Sequence, residues 1–167
     1  MEARTVDEWV DCYRSEFGLP VRERGGFVML PITGSLCVVH LPTARAERVH
    51  TVLSERGSAG PMLARQIRWS LLAHPDSRPG ERLAAELTRL DIAVPAVGSA
   101  VMLPTSLGRW SREGCHWVRP PSRDDVLPEL SLVLDAALAV GQRVAAAATH
   151  SGGRGKLRWD RDGVGPR

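Results

Sequence analysis

The sequence predicts a single α/β (α+β) domain in which helices flank a mixed sheet, followed by a basic tail. Two patterns support this class: apolar residues recur at helical spacing in four segments, and short apolar runs bounded by glycine and proline lie between them. The length of 167 residues, with 43% hydrophobic and 25% charged side chains, is typical of one globular domain with a buried core. We therefore expect the domain to span residues 1–150 and a flexible tail to span residues 151–167.

Local patterns predict the individual elements. Thr5 and Glu8 have capping-box spacing at the start of the first helix. The run LCVVHL is apolar almost throughout, so we expect a strand that is covered on both faces. The last helix is expected to take its N-cap from Ser122, Asp124 or Asp125. The predicted helices span residues 5–17, 43–56, 82–90 and from about 126 or 128 to 148; the predicted strands span residues 27–30, 36–41, 66–73, 93–97, 99–103 and 115–118.

Composition excludes several classes of protein. No run approaches the roughly 18 to 20 apolar residues of a membrane span, and the charged N-terminus does not fit a signal peptide, so we expect a cytoplasmic protein with no membrane partner. Three cysteines at irregular spacing do not indicate a disulfide framework. The formal net charge is +3, and residues 151–167 hold all of this excess, with five basic and two acidic side chains. The body is therefore not a strongly basic nucleic-acid platform.

Two kinds of catalytic or metal site have weak support. Cys37, His40, Cys115 and His116 have the chemistry of zinc ligands, but each near pair is expected to point to opposite faces of a strand. Cys115 beside His116, or Ser106 with a histidine, offers a nucleophile without any recognisable elbow motif. We expect no metal site here.

Four motifs follow one another in order: TGxxxVVxxP, Arg-Trp, GSxVxLPTS and WVxPP. Together with EFGLPVRERGGFVMLP near the start and LPELSLVLDAAL near the end, this order resembles the N-terminal domain of actinobacterial bifunctional DNA primase/polymerase proteins, of the archaeo-eukaryotic primase (prim-pol) superfamily. The resemblance covers roughly residues 9–138. It implies a primase/polymerase-like fold.

The resemblance also implies where catalytic residues would lie. Active members carry an acidic pair at the end of the strand matching residues 36–41, a histidine on the strand matching residues 66–73, and a third acid before the PTS strand. These acids hold the ions of two-metal phosphoryl transfer. Here the first strand ends His40-Leu41-Pro42 without a carboxylate, and Trp69 occupies the histidine position. Only Asp91 lies near the third acid, and an aspartate there can equally be a helix-terminal or turn residue. We therefore expect no catalytic metal and no cofactor.

These observations predict a catalytically degenerate domain that acts as a binding or regulatory module, with DNA or RNA, or another protein, as its partner. One alternative is an active primase/polymerase-type nucleotidyltransferase with a relocated metal site. Another is a purely protein-interacting module, which binds a partner or a second copy through the long C-terminal helix or Trp159. Core packing is the alternative role for Trp69. The candidate remnant-cleft residues are Asp91, Trp69, His40 and Ser106; the candidate nucleic-acid contacts are Arg65 and Arg68 in the cleft and Arg154, Lys156, Arg158 and Trp159 in the tail.

Overall fold

A computed structural model describes residues 4–108 and 110–151, the last ten of these by their backbone alone. The helices are α1 (Val6–Ser15), α2 (Thr43–Glu55), α3 (Glu81–Arg89) and α4 (Leu130–Ser151). The strands are β1 (Arg22–Arg24), β2 (Phe27–Pro31), β3 (Cys37–Pro42), β4 (Met62–Ala64), β5 (Arg68–Ala73), β6 (Ala100–Met102) and β7 (His116–Arg119). Within this part of the chain, no helix has the length and apolar character needed to cross a membrane.

The strands form two sheets, and every strand pairing in them is antiparallel. The first sheet has the order β1-β2-β6 and the second has the order β3-β5-β4-β7. The predicted α/β class is therefore confirmed, but the expected single mixed sheet is divided in two. Tight connections, such as the Gly25-Gly26 turn between β1 and β2, return the chain beside the preceding strand and so favour antiparallel pairs.

One core joins both sheets and the helices. Helix α1 packs against β1 and β2, whereas α2 packs against β3, β5 and α4. Arg45 of α2 reinforces the second contact, because its Nη1 donates to the Ala137 carbonyl of α4 over 2.7 Å. Buried side chains from every layer lie in the same cluster, among them Tyr13, Leu30, Val38, Leu63 and Val133.

Several predicted elements are confirmed. The capping box of α1 is complete, since the Glu8 amide donates to the Thr5 hydroxyl and the Thr5 amide donates to the Glu8 carboxylate. Strand β3 is buried along most of its length, as the apolar run LCVVHL predicts. Two strands, β1 and β4, were not predicted: β1 is polar and β4 has only three residues, so neither shows a clear period.

The predicted strand over residues 93–97 is wrong. Only Ala93 makes a β-bridge there, with His40, and the following residues form a turn that ends in Gly98 at a φ of +94°. Pro95 has no amide hydrogen to donate to a ladder, which explains why the apolar pattern fails at this point. Strand β6 instead pairs with β2, which is distant in sequence.

The start of the last helix also differs from its prediction. Helix α4 begins at Leu130, and its first turn is capped by Asp76, whose carboxylate accepts from the Ser131 amide over 2.9 Å. Asp125, a predicted N-cap, instead accepts from the Ser122 amide and from Arg119. The capping group comes from a loop 55 residues earlier, so local sequence could not identify it.

Candidate functional site

A polar cluster lies on one face of the second sheet, where β3 and β4 end and β5 begins. Residues paired directly across an antiparallel ladder have side chains on the same face. His40 pairs with Ser70, and Pro42 pairs with Arg68, two residues along each strand. His40, Ser70 and Arg68 therefore share this face.

His40 is held in place by both its side chain and its backbone. Its Nδ1 lies 2.7 Å from the hydroxyl of Ser70, which is only 1% exposed. Its amide donates to the Ala93 carbonyl over 2.8 Å, and the Ala93 amide donates back over 3.0 Å. Burial, and then the positive charges of Arg68 and Arg65, lower the pKa of His40 below its usual value of 6.5. The imidazole is therefore mainly neutral at pH 7.

The two arginines of the cluster flank the β4–β5 hairpin. The Arg65 amide donates to the Arg68 carbonyl over 2.9 Å and closes the turn. The Arg65 guanidinium donates to the Met102 carbonyl over 2.9 Å, which connects the hairpin to β6 of the first sheet. The Arg68 guanidinium forms an ion pair with the Asp91 carboxylate. Both guanidinium groups are half-buried and lie close enough to His40 to affect its charge.

Asp91 has a structural role at the end of α3. It is the only non-glycine residue of the described chain with positive φ, at +57°. Its amide donates to the Thr88 carbonyl over 3.1 Å, and the Ile92 amide donates to the Leu87 carbonyl over 2.9 Å. This pair of bonds is a Schellman motif, with Asp91 in the left-handed position that glycine usually occupies. Its carboxylate is also already bound to Arg68.

Trp69 lies on the other face of the sheet from His40 and Arg68. It pairs with Leu41 and Ala64, so strand alternation points its side chain away from the polar cluster. There it is half-buried and packs against the hydrophobic core. The structure thus places Trp69 on the opposite face of the sheet from His40 and Arg68, with which the sequence-based prediction grouped it, and supports its packing role.

The loop over residues 105–115 borders the same cluster. Arg65 connects the two, because its guanidinium donates to the Met102 carbonyl just before this loop. Burial raises the pKa of Cys115 at the loop's end, and the positive charge of Arg65 opposes this rise. The predicted Ser106 lies in this loop and makes a local bond, accepting from the Gly108 amide over 2.9 Å. Ser106 thus borders the cluster without a described bond to it.

Two residues of the region were not among the sequence candidates. Ser70 follows from alternation, since it lies two residues after Arg68 on the same strand. Glu113 had no local signal: its buried carboxylate is held by Thr105, eight residues away across an irregular loop.

No metal centre is formed by the parts of the chain whose side chains are described. Among those residues, no three histidine, cysteine, aspartate or glutamate side chains converge on one point. Cys12, Cys37 and Cys115 are buried free thiols, and the Cys37 thiol donates to the Ala73 carbonyl. Arg154, Lys156, Arg158 and Trp159, the predicted tail contacts, lie outside the described residues.

Comparisons of the chain with protein-family models, with curated proteins and with solved structures found no match. The interpretation of the site therefore depends on its own chemistry. Two guanidinium groups and a neutral imidazole, which is held by the buried Ser70 hydroxyl, make a surface that is rich in hydrogen-bond donors. One carboxylate is already paired with Arg68, so the surface is net positive. Such a surface suits the oxygens of a phosphate group.

Proposed function

We propose that the chain is a primase/polymerase-like domain that binds nucleic acid and has lost metal-dependent catalysis. The observation that carries this proposal is the cluster of His40, Ser70, Arg65 and Arg68 on one face of the second sheet. Phosphate contacts by arginine supply most of the affinity of non-specific nucleic-acid binding. The cluster offers two such side chains, those of Arg65 and Arg68, at the turn of the β4–β5 hairpin.

The residues that replace the family's acidic pair support the loss of catalysis. The end of β3 holds His40 where carboxylates would be needed to bind Mg²⁺, which prefers oxygen ligands. Asp91 points its carboxylate to Arg68, and its backbone ends a helix. Neither residue is arranged as a ligand of a divalent cation.

The tail supports a second contact with the same partner. Arg154, Lys156 and Arg158 lie beside Trp159, and a basic segment next to an aromatic ring combines phosphate contact with base stacking. Residues 1–150 have balanced charge, so the tail provides the long-range attraction and the arginine cluster provides a fixed contact.

A titration of labelled DNA tests the proposal. We would measure fluorescence anisotropy of single- and double-stranded DNA with the full chain at about 50 mM and about 200 mM salt. Arg68→Gln should weaken binding and reduce the slope of log affinity against log salt by about 1. Arg56→Gln, which removes an exposed arginine from the C-terminal end of α2, away from the β4–β5 turn, is the matched control.

A second variant separates the two contacts. Replacing Arg154, Lys156 and Arg158 together by glutamine should also reduce the salt slope, independently of Arg68→Gln. Absence of salt-sensitive binding by the unaltered chain would overturn the proposal. A dimer or a protein complex that forms without nucleic acid would then favour the protein-interaction alternative.

A further inference from the structure

The loop over residues 105–115 is held by a buried carboxylate. The Glu113 side chain has no exposed surface and accepts from the Thr105 amide over 3.2 Å and from the Thr105 hydroxyl over 2.8 Å. The Arg112 Nε also donates to it, over 3.1 Å. These bonds join Thr105 at the start of the loop to Glu113 near its end, so the two ends of the loop are anchored to each other.

Trp110 lies on this anchored loop, and much of its ring is exposed to solvent. It is 54% exposed, and its ring centroid lies 4.5 Å from that of His116 at an interplanar angle of 60°. The next residue, Ser111, donates through both its amide and its hydroxyl to the Cys115 carbonyl. An aromatic ring held exposed on an anchored loop offers a flat face on which a planar group can stack.

Arg112 supplies a guanidinium group to the loop that carries Trp110, and its Nε is paired with the Glu113 carboxylate. Arg112 is 61% exposed and is positioned by a bond from its Nη2 to the Gly26 carbonyl over 3.1 Å. In the described part of the loop, residues 105–108 and 110–115, the only acid is Glu113, which is buried. The loop also ends at Cys115, close to Arg65 of the cluster. The exposed indole and the exposed Arg112 guanidinium thus belong to the same anchored loop. An exposed carboxylate, that of Glu23, lies at the turn that Arg112 contacts, where it accepts from the Gly26 amide.

We infer that Trp110 is a stacking platform for an unpaired base of single-stranded nucleic acid, whose phosphate is met by Arg112. This inference rests on the proposed function and adds a preference to it. Bases within a duplex are already stacked on their neighbours, so only a single strand can place a base on the indole without unstacking. The domain should therefore prefer single strands to duplexes, and Trp110 should be the source of that preference.

The test compares two probes on the full chain. A labelled oligothymidine is titrated against a hairpin duplex of the same nucleotide count, with unaltered protein, Trp110→Ala and Trp110→Phe. Removal of one stacking aromatic is expected to weaken oligothymidine binding by about tenfold. Trp110→Phe, which keeps an aromatic face, should retain most of the affinity, and hairpin binding should change little in either variant.

A control and a fold measurement keep the test selective. Val126→Ala shortens another strongly exposed apolar side chain, 88% exposed, that lies outside the loop and should leave both affinities unchanged. The thermal midpoint of each variant shows whether the fold is intact. A loss of oligothymidine binding in Trp110→Ala with an unchanged midpoint supports the inference.

Two failures are distinguishable. If Trp110→Ala binds oligothymidine as well as the unaltered chain while Arg68→Gln binds less, the stacking inference is wrong and the proposed function stands. If neither probe binds the unaltered chain, the proposed function is wrong and the stacking inference falls with it. If Trp110→Ala and Trp110→Phe both lose affinity for both probes to the same extent, the loop and not the aromatic face is required, and the stacking inference is wrong.

Discussion

At the scale of single residues, Glu113 is the most constrained charged group in the described chain. Although burial opposes its ionisation, hydrogen bonds that favour the charged form, those from the Thr105 hydroxyl and amide among them, lower the pKa of Glu113 from 4.5 to about 2. The carboxylate is therefore ionised at neutral pH inside the protein. Its charge helps to hold the loop that presents Trp110.

The sign of this pKa shift predicts a dependence of stability on pH. Because the folded pKa is below the unfolded one, ionised Glu113 stabilises the fold above about pH 4.5, and this contribution is lost as the pH falls towards 2. Glu113→Gln should therefore have a lower free energy of unfolding than the unaltered protein at pH 7, and the difference should shrink between pH 4.5 and 2. Urea denaturation across this range measures it.

A surface variant provides the comparison for Glu113. Glu47→Gln also removes one carboxylate, but from an exposed position on α2. A stability difference for Glu113→Gln that is constant over the whole pH range would contradict the role given to ionised Glu113.

At the scale of elements, the end of α3 gives Asp91, one of the candidate cleft residues, a structural role. Asp91 lies near the family's third acidic position in sequence, yet its backbone closes the helix in a left-handed conformation. Asparagine, aspartate and glycine tolerate that conformation better than other residues do. Its surroundings make Asp91 a helix-ending residue that also pairs with Arg68.

Substitutions at Asp91 separate these two roles. Asp91→Val places a β-branched side chain at a φ of +57°, so the free energy of unfolding should fall by about 1–3 kcal/mol. Asp91→Gly removes the same carboxylate but suits the conformation, so it should be close to the unaltered protein in stability. Chemical denaturation measures the free energy of unfolding of both variants. Equal destabilisation of the two would instead assign the effect to loss of the partly exposed ion pair with Arg68.

At the scale of the whole molecule, one buried hydrogen-bonded pair connects the two halves of the fold. Tyr13 of α1, which packs on the first sheet, has no exposed surface. Its hydroxyl donates to the Pro104 carbonyl after β6 and accepts from the Trp117 Nε1 of β7, each over 2.8 Å. The pair therefore joins α1 and the first sheet to the edge strand of the second.

Removal of the Tyr13 hydroxyl should weaken the whole fold. Tyr13→Phe leaves the Trp117 Nε1 without its partner in the interior, so the free energy of unfolding should fall by about 1–3 kcal/mol. Because both sheets share one core, circular dichroism and tryptophan fluorescence should shift together. A double-mutant cycle with Trp117→Phe checks the coupling. Additive effects, or transitions that separate, would show that the pair does not connect the two halves.

Some elements could be predicted because their signals are local. The Thr5–Glu8 capping box, the apolar run of β3 and the helical spacing of α2 depend on residues within a few positions of one another, and the structure confirms each. Strand alternation is equally local, and it already separates Trp69 from Arg68. The same rule identifies Ser70 as a neighbour of His40 once the register is known.

The remaining features depend on partners that are distant in sequence. Strand β2 pairs with β6, Asp76 caps α4, and Thr105 donates to Glu113. Each contact joins segments whose relation cannot be predicted from a local sequence pattern. The cluster of His40, Arg65 and Arg68 likewise exists only because β3, β4 and β5 lie side by side.

The sequence by itself therefore determined the fold class, most of the helices and the buried strand, since hydrophobic period and capping act within a few residues. The division into two sheets, the pairing of Asp91 with Arg68 and the exposure of Trp110 were decided only by the tertiary structure. The physical reason is that hydrogen-bond partners and burial are set by which segments share the core, and many alternative pairings satisfy the same local pattern.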